Sequence, residues 1–207
     1  MNYFGKIAFG KAAKALQEKA GSRTAYARIE KETRRTGLTD YEASFIARRD
    51  SFYMASITES GFPYIQHRGG PKGFLKVLDA THLGFIDFKG NKQYVSVGNF
   101  ETNNNVSLFL MDYPNKIRLK IFAKAEVITI EDNAELYHEL ALNNSAAKAE
   151  QMIVFRVEAF DWNCPQHITP RYTIEEIETI TQPQKAYIAQ LETEIAELKA
   201  KIQKQNA

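Results

Sequence analysis

The sequence contains a single cysteine, Cys164, in a chain of 207 residues. One thiol excludes a framework of internal disulfide bonds, and a chain without such bonds suits a reducing compartment. No apolar run near the N-terminus resembles a signal peptide, and no stretch of about 18 apolar residues is present to span a bilayer. The sequence therefore predicts a soluble cytoplasmic protein that does not bind membranes.

Neither sign of charge dominates the sequence. It contains 27 Lys and Arg residues and 25 Asp and Glu residues, which gives a net charge of +2. Without a long basic block, a nucleic-acid-binding surface is not indicated. The four histidines do not have the spacing of a metal site, and the glycine fingerprint of a nicotinamide-binding domain is missing. By contrast, an apolar content of 44% is enough to form a buried core.

The first 39 residues have the composition of a helical arm. Residues 1–21 are rich in alanine and lysine and predict a helix that Gly21 ends. Residues 22–36 are strongly charged and fit either an exposed helix or an extended arm. Thr39 and Glu42 have the spacing of a capping box, which predicts the start of the next helix.

From Ser51 onward the apolar pattern changes to the period of two that is typical of strands. Strands are predicted over 52–58, 62–67, 83–88, 93–97, 106–111, 117–130 and 151–160. Residues 131–142 are predicted to form a helix. Strands in hairpin succession, with helices inserted rather than alternating, favour an antiparallel barrel over a doubly wound parallel sheet.

The C-terminal segment, 183–207, has the pattern of a coiled coil. Isoleucine at position a and leucine at position d favour two parallel helices, and Glu194 and Lys199 then lie at positions that pair across the dimer. The alternative is an amphipathic helix docked on the barrel. Pro183 is predicted to mark the point where this tail leaves the domain. The seam consists of Ile188, Leu191, Ile195, Leu198 and Ile202.

The stretch 64–99 combines strand-like runs with two glycine-containing loops and several cationic and amide side chains. Arg68 precedes Gly69, Lys76 lies on the next apolar run, and Lys92 occupies the second loop. Charge-assisted hydrogen bonds and a closely approaching glycine backbone suit a phosphate dianion. The alternative is a pair of hairpin loops with ordinary surface charge.

Five motifs occur in a familiar order, at residues 68–76, 91–99, 108–113, 118–121 and 161–168. Together they resemble the pyridoxamine 5'-phosphate oxidase-like flavin-binding proteins, and most closely the oxidase-related FMN-binding branch. The resemblance covers about residues 40 to 172. It implies a mainly β fold with flanking helices: a six-stranded antiparallel split β-barrel, here over 40–182, that forms a homodimer with one FMN in each interface cleft.

The resemblance also implies roles for individual residues. Arg68 and Lys76 would hold the phosphate and ribityl chain, with either Lys92 or Arg68 alone as the phosphate cation. Arg118 would lie near the isoalloxazine ring, and Trp162 would close the cleft from the partner subunit. The other implied cofactor-binding residues are His67, Gly69, Asn91, Gln93, Ser96, Asn99, Gln166 and Arg171.

The sequence departs from the family at residues 163–171, where the arginine–histidine signature for the oxidase substrate is replaced. Oxidation of pyridoxamine phosphate is therefore not expected. We expect an FMN-dependent oxidoreductase that acts on a small molecule, with a nicotinamide cofactor or oxygen as the other redox partner. The alternatives are a flavin-binding store or sensor without turnover, and a barrel that binds haem or a deazaflavin. No catalytic residue is assigned; Cys164 near His167 fits either a reactive thiol or a packed, inert one.

Overall fold

A seven-stranded antiparallel sheet forms the centre of the larger of two units in this computed structural model, which describes residues 4–32, 37–142, 148–162 and 166–205. The first unit comprises the chain through Asp112 together with Lys116–Gln166. The second comprises Tyr113–Asn115 and the chain from His167 onward. Cys164 lies outside the described residues.

The strands are β1 Ser51–Ile57, β2 Pro63–Gly69, β3 Lys76–Val77, β4 His82–Phe88, β5 Asn105–Asp112, β6 Ile117–Ile128 and β7 Ala149–Trp162. Their order in the sheet is β2-β1-β5-β6-β7-β4-β3, and every neighbouring pair is antiparallel. The predicted antiparallel arrangement is confirmed, and the sheet has seven strands rather than six. Closure of the sheet into a split barrel stays a prediction.

The helices are α1 Phe4–Ala8, α2 Lys11–Lys19, α3 Arg23–Glu32, α4 Asp40–Ala47, α5 Val95–Thr102, α6 Ala134–Leu140 and α7 Ile174–Gln205. The single helix predicted over 1–21 is divided in two, because Gly10 has an extended backbone and serves as the N-cap of α2. Gly21 follows α2 with φ of +71°, a conformation in which glycine carries no steric penalty. The charged segment that follows is helical over α3.

The prediction of a strand over 93–97 is wrong, because α5 begins within this segment, at Val95. The alternating valines of residues 95–97 have the period of a strand, yet the chain enters a helix after Tyr94, whose φ of 51° places it in the left-handed region. Ser96, Asn99 and Phe100 are buried and follow helical spacing. Packing of this face overrides the local β preference.

An aromatic cluster occupies the core between the sheet and the segment before β3. Phe52 stacks on Phe74 with ring centroids 5.7 Å apart, and Phe85 stacks on Phe155 at 5.9 Å. All four side chains are buried. Because burial of one phenylalanine is worth about 1.5–3 kcal/mol, this cluster is a major stabilising feature of the first unit.

The capping box predicted at Thr39 is confirmed and ties α4 to the end of β7. The backbone N–H of Thr39 donates to Glu42 Oε2 at 3.0 Å, and the Thr39 hydroxyl accepts from the N–H of Tyr41 at 3.3 Å. The other carboxylate oxygen of Glu42 accepts from the Trp162 indole N–H at 2.8 Å. The Trp162 ring packs edge-on against Phe45 at 4.8 Å.

Helix α7 begins at Ile174, so Pro183 does not mark its start but lies within it. A second capping box accounts for this, because the N–H of Thr173 donates to Glu176 at 2.8 Å and the N–H of Glu176 donates to the Thr173 hydroxyl at 3.2 Å. No side chain of α7 is buried. Within the described ranges, no helix is both long and apolar enough to cross a membrane.

Candidate functional site

A polar cleft of about 130 Å³ lies where β2 and the end of β4 meet the start of α5. The loop between β4 and α5 and the first residues of β7 complete its wall. The lining residues are Tyr64, Gln66, Arg68, Asp87, Phe88, Asn91, Lys92, Gln93, Tyr94, Val95, Ser96, Val97 and Glu150.

Arg68 is the cation set deepest in this cleft, and it is paired with a carboxylate. The alternation of β2 places Tyr64, Gln66 and Arg68 on one side of the strand. Arg68 Nη1 donates to Asp87 Oδ1 at 2.6 Å, and the Gln151 amide donates to Asp87 Oδ2 at 3.2 Å. Asp87 is buried, so its charge is balanced mainly by Arg68.

One donor of Arg68 remains unused. Its Nε atom is buried and has no hydrogen-bond partner. The guanidinium carbon lies 5.6 Å from the centroid of the Phe85 ring, which holds the group against the core. Because a buried donor without an acceptor costs about 1–3 kcal/mol, this N–H favours the entry of an anionic or polar ligand.

The start of α5 supplies backbone donors to the same cleft. Tyr94 is the N-cap residue and provides no side-chain cap. The first amides of a helix have no acceptor inside the helix, and the helix dipole favours negative charge at this end. The Ser96 hydroxyl donates to Gln66 Oε1 at 2.7 Å, which fixes the first turn of α5 against β2.

The rim of the cleft carries a hydrogen bond between Tyr94 and Glu150. The Tyr94 hydroxyl donates to Glu150 Oε1 at 2.6 Å, and this bond raises the pKa of Tyr94 above its ordinary value. In the adjoining loop, the Asn91 side chain accepts from the N–H of Gln93 at 3.2 Å. Lys92 has φ of 60° and also lines the cleft.

The structure brings a subset of the predicted site residues together in this cleft. They are Arg68, Asn91, Lys92, Gln93 and Ser96. The others lie elsewhere.

Lys76 and Asn99 are engaged by other parts of the chain. The Lys76 ammonium donates to the carbonyl oxygens of Glu139 at 2.6 Å and of Ala141 at 3.1 Å, at the end of α6. The Asn99 amide is buried and donates to the Ser56 hydroxyl at 2.8 Å, which fastens α5 to β1. Neither side chain lines the cleft.

His67 and Gly69 flank Arg68 on β2, where the alternation turns them to the other side of the strand. The His67 ring lies edge-on to Tyr53 with centroids 5.5 Å apart. Gly69 ends β2, and a Cβ atom there would approach the His67 ring within 3.0 Å. A side chain at position 69 would therefore displace His67.

Arg118, Trp162 and Gln166 also lie outside the cleft wall. The Arg118 guanidinium lies 6.0 Å from the Phe109 ring centroid, and Trp162 donates to Glu42. Arg171, in the second unit, lies 4.9 Å from the Tyr113 ring, and Gln166 is exposed.

Sequence reasoning missed eight of the thirteen lining residues, among them Gln66, Asp87 and Glu150. A signal existed for Gln66, which is two residues from Arg68 on the same strand and therefore on the same side. Asp87 also had a signal in the sequence, because it is a single acidic residue within the apolar run of β4. Glu150 had no signal in the sequence, because its position at the cleft depends on the pairing of β7 with β4. Among the residues that the structure describes, no group of acidic, histidine or cysteine side chains could hold a metal ion.

The chain matches the family model described as pyridoxamine 5'-phosphate oxidase over residues 38–163. The matched region contains the α4 capping box, all seven strands and the whole polar cleft. The chain belongs to the pyridoxamine 5'-phosphate oxidase family. The resemblance drawn from the sequence is thereby confirmed. Members of this family commonly bind a flavin.

Solved structures similar to this chain include an FMN-binding protein from Syntrophomonas wolfei, at 13% identity and a TM-score of 0.46, over 72% of this chain and 97% of that one. HupZ of Group A Streptococcus is similar at 13% identity and a TM-score of 0.47, over 65% and 99%. An F420 reductase is similar at 22% identity and a TM-score of 0.42, over 57% and 94%. No curated protein sequence matches the chain.

Proposed function

We propose that this member of the oxidase family binds FMN, with the FMN phosphate in the polar cleft, and acts as an oxidoreductase on a small molecule. The observation that carries the proposal is the buried Arg68 Nε, which lacks a hydrogen-bond partner, and Arg68 lines the same cleft as the first turn of α5. When bound, the flavin supplies the redox chemistry, and the protein supplies phosphate contacts and positioning.

The residues present fit a phosphate ester. Arg68 has a free N–H, Lys92 adds a second cation, and the first amides of α5 add neutral donors. Charge-assisted bonds of this kind are about twice as strong as neutral ones. Asp87 weakens phosphate binding, because its carboxylate already accepts the hydrogen bond from Arg68 Nη1.

The size of the cleft supports a homodimeric site. Pockets for whole small-molecule ligands have volumes of about 300–1,000 Å³, whereas this cleft has about 130 Å³. The cleft therefore accommodates a phosphate group but only part of an FMN molecule. We propose that a second copy of the chain supplies the remaining surface, with Arg118, Trp162 and Arg171 as the candidates around the flavin ring.

A flavin-binding module without turnover is the second candidate. It is favoured by the way the ionisable groups of the cleft already bond to each other, as Arg68 does to Asp87 and Tyr94 does to Glu150. A reduced nicotinamide cofactor separates the two candidates, because an oxidoreductase will bleach its bound flavin under anaerobic conditions within seconds to minutes. A store or sensor will remain oxidised.

The first test is the visible spectrum of the purified protein, before and after addition of FMN and dialysis. Flavin absorption bands that persist through dialysis are the expected result. A colourless protein that does not retain FMN would contradict the proposal and leave the cleft to another ligand.

The second test removes the Arg68 charge. Arg68→Gln combined with Asp87→Asn leaves the net charge of the cleft unchanged. Relative to Asp87→Asn alone, the double variant should cost about 2–3 kcal/mol of FMN binding free energy. Binding of riboflavin, which lacks the phosphate, should change little. Arg156→Gln is the matched control, because Arg156 pairs with Glu158 outside the cleft. Equal losses for FMN and riboflavin would show that Arg68 does not contact the phosphate.

A further inference from the structure

Helix α7 exposes an apolar seam along its C-terminal half. The side chains of this seam remain 36–57% exposed, although burial of such groups is strongly favourable. They belong to Ile188, Leu191, Ile195, Leu198 and Ile202. No other side chain of α7 is buried either, so the seam has the character of an interface that requires a partner.

We propose that the partner is α7 of a second copy of this chain, in an antiparallel coiled coil. In this arrangement Leu191 faces Ile202 of the partner subunit, and Ile195 faces Leu198 of the partner subunit. The inference goes beyond the proposed function and does not depend on flavin binding. It also departs from the parallel pair that the sequence favoured.

The charges beside the seam select this arrangement. With the seam at heptad positions a and d, Glu192 and Lys199 lie at position e, and Glu194 and Lys201 lie at position g. In an antiparallel pair, position e faces e and position g faces g. The proposed register then places Glu192 opposite Lys199 of the partner subunit. It also places Glu194 opposite Lys201 of the partner subunit, and symmetry repeats both contacts.

Other arrangements of the same seam pair these charges less well. A parallel dimer joins Glu194 to Lys199 of the partner subunit but leaves Lys201 without an acidic partner at position e. An antiparallel register shifted by one heptad brings Glu192 and Glu194 each opposite its own copy, which is repulsive. Because the same apolar side chains enter the seam in each case, the e and g charges set the orientation.

Pro183 limits the paired segment to the C-terminal half of α7. Its missing N–H removes the helical hydrogen bond to the Thr179 carbonyl, and its ring disturbs the preceding turn. An antiparallel overlap of the whole helix would also bring the polar side chains of Thr181 and Gln184 into the seam. The proposed register involves residues 188–205 alone. It therefore avoids Pro183, Thr181 and Gln184, and its polar seam contact is limited to Gln205 opposite Ile188 of the partner subunit, at each end of the paired segment.

Disulfide trapping in the full-length protein tests the orientation. In a Cys164→Ser background, Leu191→Cys and Ile202→Cys are made in two separately tagged chains. The antiparallel pair predicts a mixed disulfide on mixing and little disulfide in either variant alone, because only facing Cα atoms come within about 7 Å. Thr193→Cys, at the outer position f, is the control for random collision.

A charge reversal provides an independent readout. Lys201→Glu should raise the dissociation constant of tail-dependent self-association about tenfold, because it replaces two attractive contacts by two repulsive ones. In a parallel pair the same change removes no acidic contact at position e and should have little effect. Lys204→Glu, at the outer position c, is the matched control and should leave association unchanged.

Two results would overturn the proposal. Strong self-disulfides at positions 191 and 202, with none between them, would show a parallel pair. Absence of any disulfide above the Thr193→Cys background, with the helical circular dichroism retained, would show that α7 does not pair with a second copy.

Discussion

At the scale of single residues, the buried pair of Arg68 and Asp87 is the feature most specific to this cleft. A cation alone at this depth would suit a phosphate directly, whereas here a carboxylate 2.6 Å away shares the guanidinium. Both side chains are mostly removed from water, at 16% and 11% exposure, so their interaction is little screened. Asp87 therefore moderates whatever affinity Arg68 confers on an anion.

Removal of that carboxylate should trade stability for affinity. Asp87→Asn should destabilise the free protein by about 1–3 kcal/mol, because the buried Arg68 charge then meets only a neutral amide oxygen in place of a carboxylate. The same change should increase FMN affinity, since the phosphate no longer meets a negative charge. Thermal unfolding with and without FMN measures both effects as a lower melting temperature and a larger ligand-induced shift.

Asp161→Asn is the control for this experiment, because Asp161 pairs with Lys120 at 3.2 Å and does not line the cleft. A partly exposed pair of this kind is worth about 0–1 kcal/mol, and its loss should not alter the FMN shift. An unchanged FMN shift in Asp87→Asn would contradict the competition between Asp87 and the phosphate.

At the scale of elements, Glu42 joins the start of α4 to the end of β7. Burial opposes its ionisation, but hydrogen bonds from Thr39 and from the Trp162 indole outweigh burial and lower the pKa of Glu42 below 4.5. A carboxyl group with a lowered pKa in the folded state stabilises the fold when ionised. Its contribution is complete above pH 4.5 and is lost as the pH falls through the lower folded-state value.

This linkage predicts a specific pH dependence of stability. Glu42→Gln should be less stable than the wild type near neutral pH, although glutamine still serves in a capping box. The difference should narrow as the pH falls below 4.5, because the wild-type carboxylate then becomes protonated. Denaturant unfolding across this pH range measures the effect, and a difference independent of pH would contradict the role of the charge.

The two capping boxes show which helix boundaries can be predicted from neighbouring residues in the sequence. The capping box at Thr39 was predicted because its two residues, Thr39 and Glu42, are three positions apart in the sequence. The same spacing at Thr173 and Glu176 marks the start of α7, which lies before the predicted boundary at Pro183. The helix continues through Pro183 without the hydrogen bond to the Thr179 carbonyl.

At the scale of the whole molecule, self-association through the tail and FMN binding in the cleft should be independent of each other. Deletion of residues 186–207 removes the paired segment proposed for α7 but none of the cleft residues. We expect weaker self-association by sedimentation at low concentration, with the FMN absorption of the loaded protein retained. Unchanged sedimentation would count against the tail as an interface.

The sequence by itself determined the class of fold, through signals between near neighbours. The period of two along β1 and β6 and the apolar run of β5 predicted strands, and the succession of strands predicted antiparallel pairing. The order of the family motifs placed Arg68, Lys92 and Ser96 in one candidate phosphate site, and all three line the same cleft.

Only the tertiary structure decided what surrounds those residues. Asp87 meets Gln151 because β4 and β7 pair in register across 64 positions of sequence, and the approach of Arg68 to Asp87 depends on the folding of β2 beside them. The helical form of α5 likewise follows from the burial of Asn99 against Ser56 rather than from local preference. Contacts between distant strands depend on register and packing, which no pattern of neighbouring residues encodes.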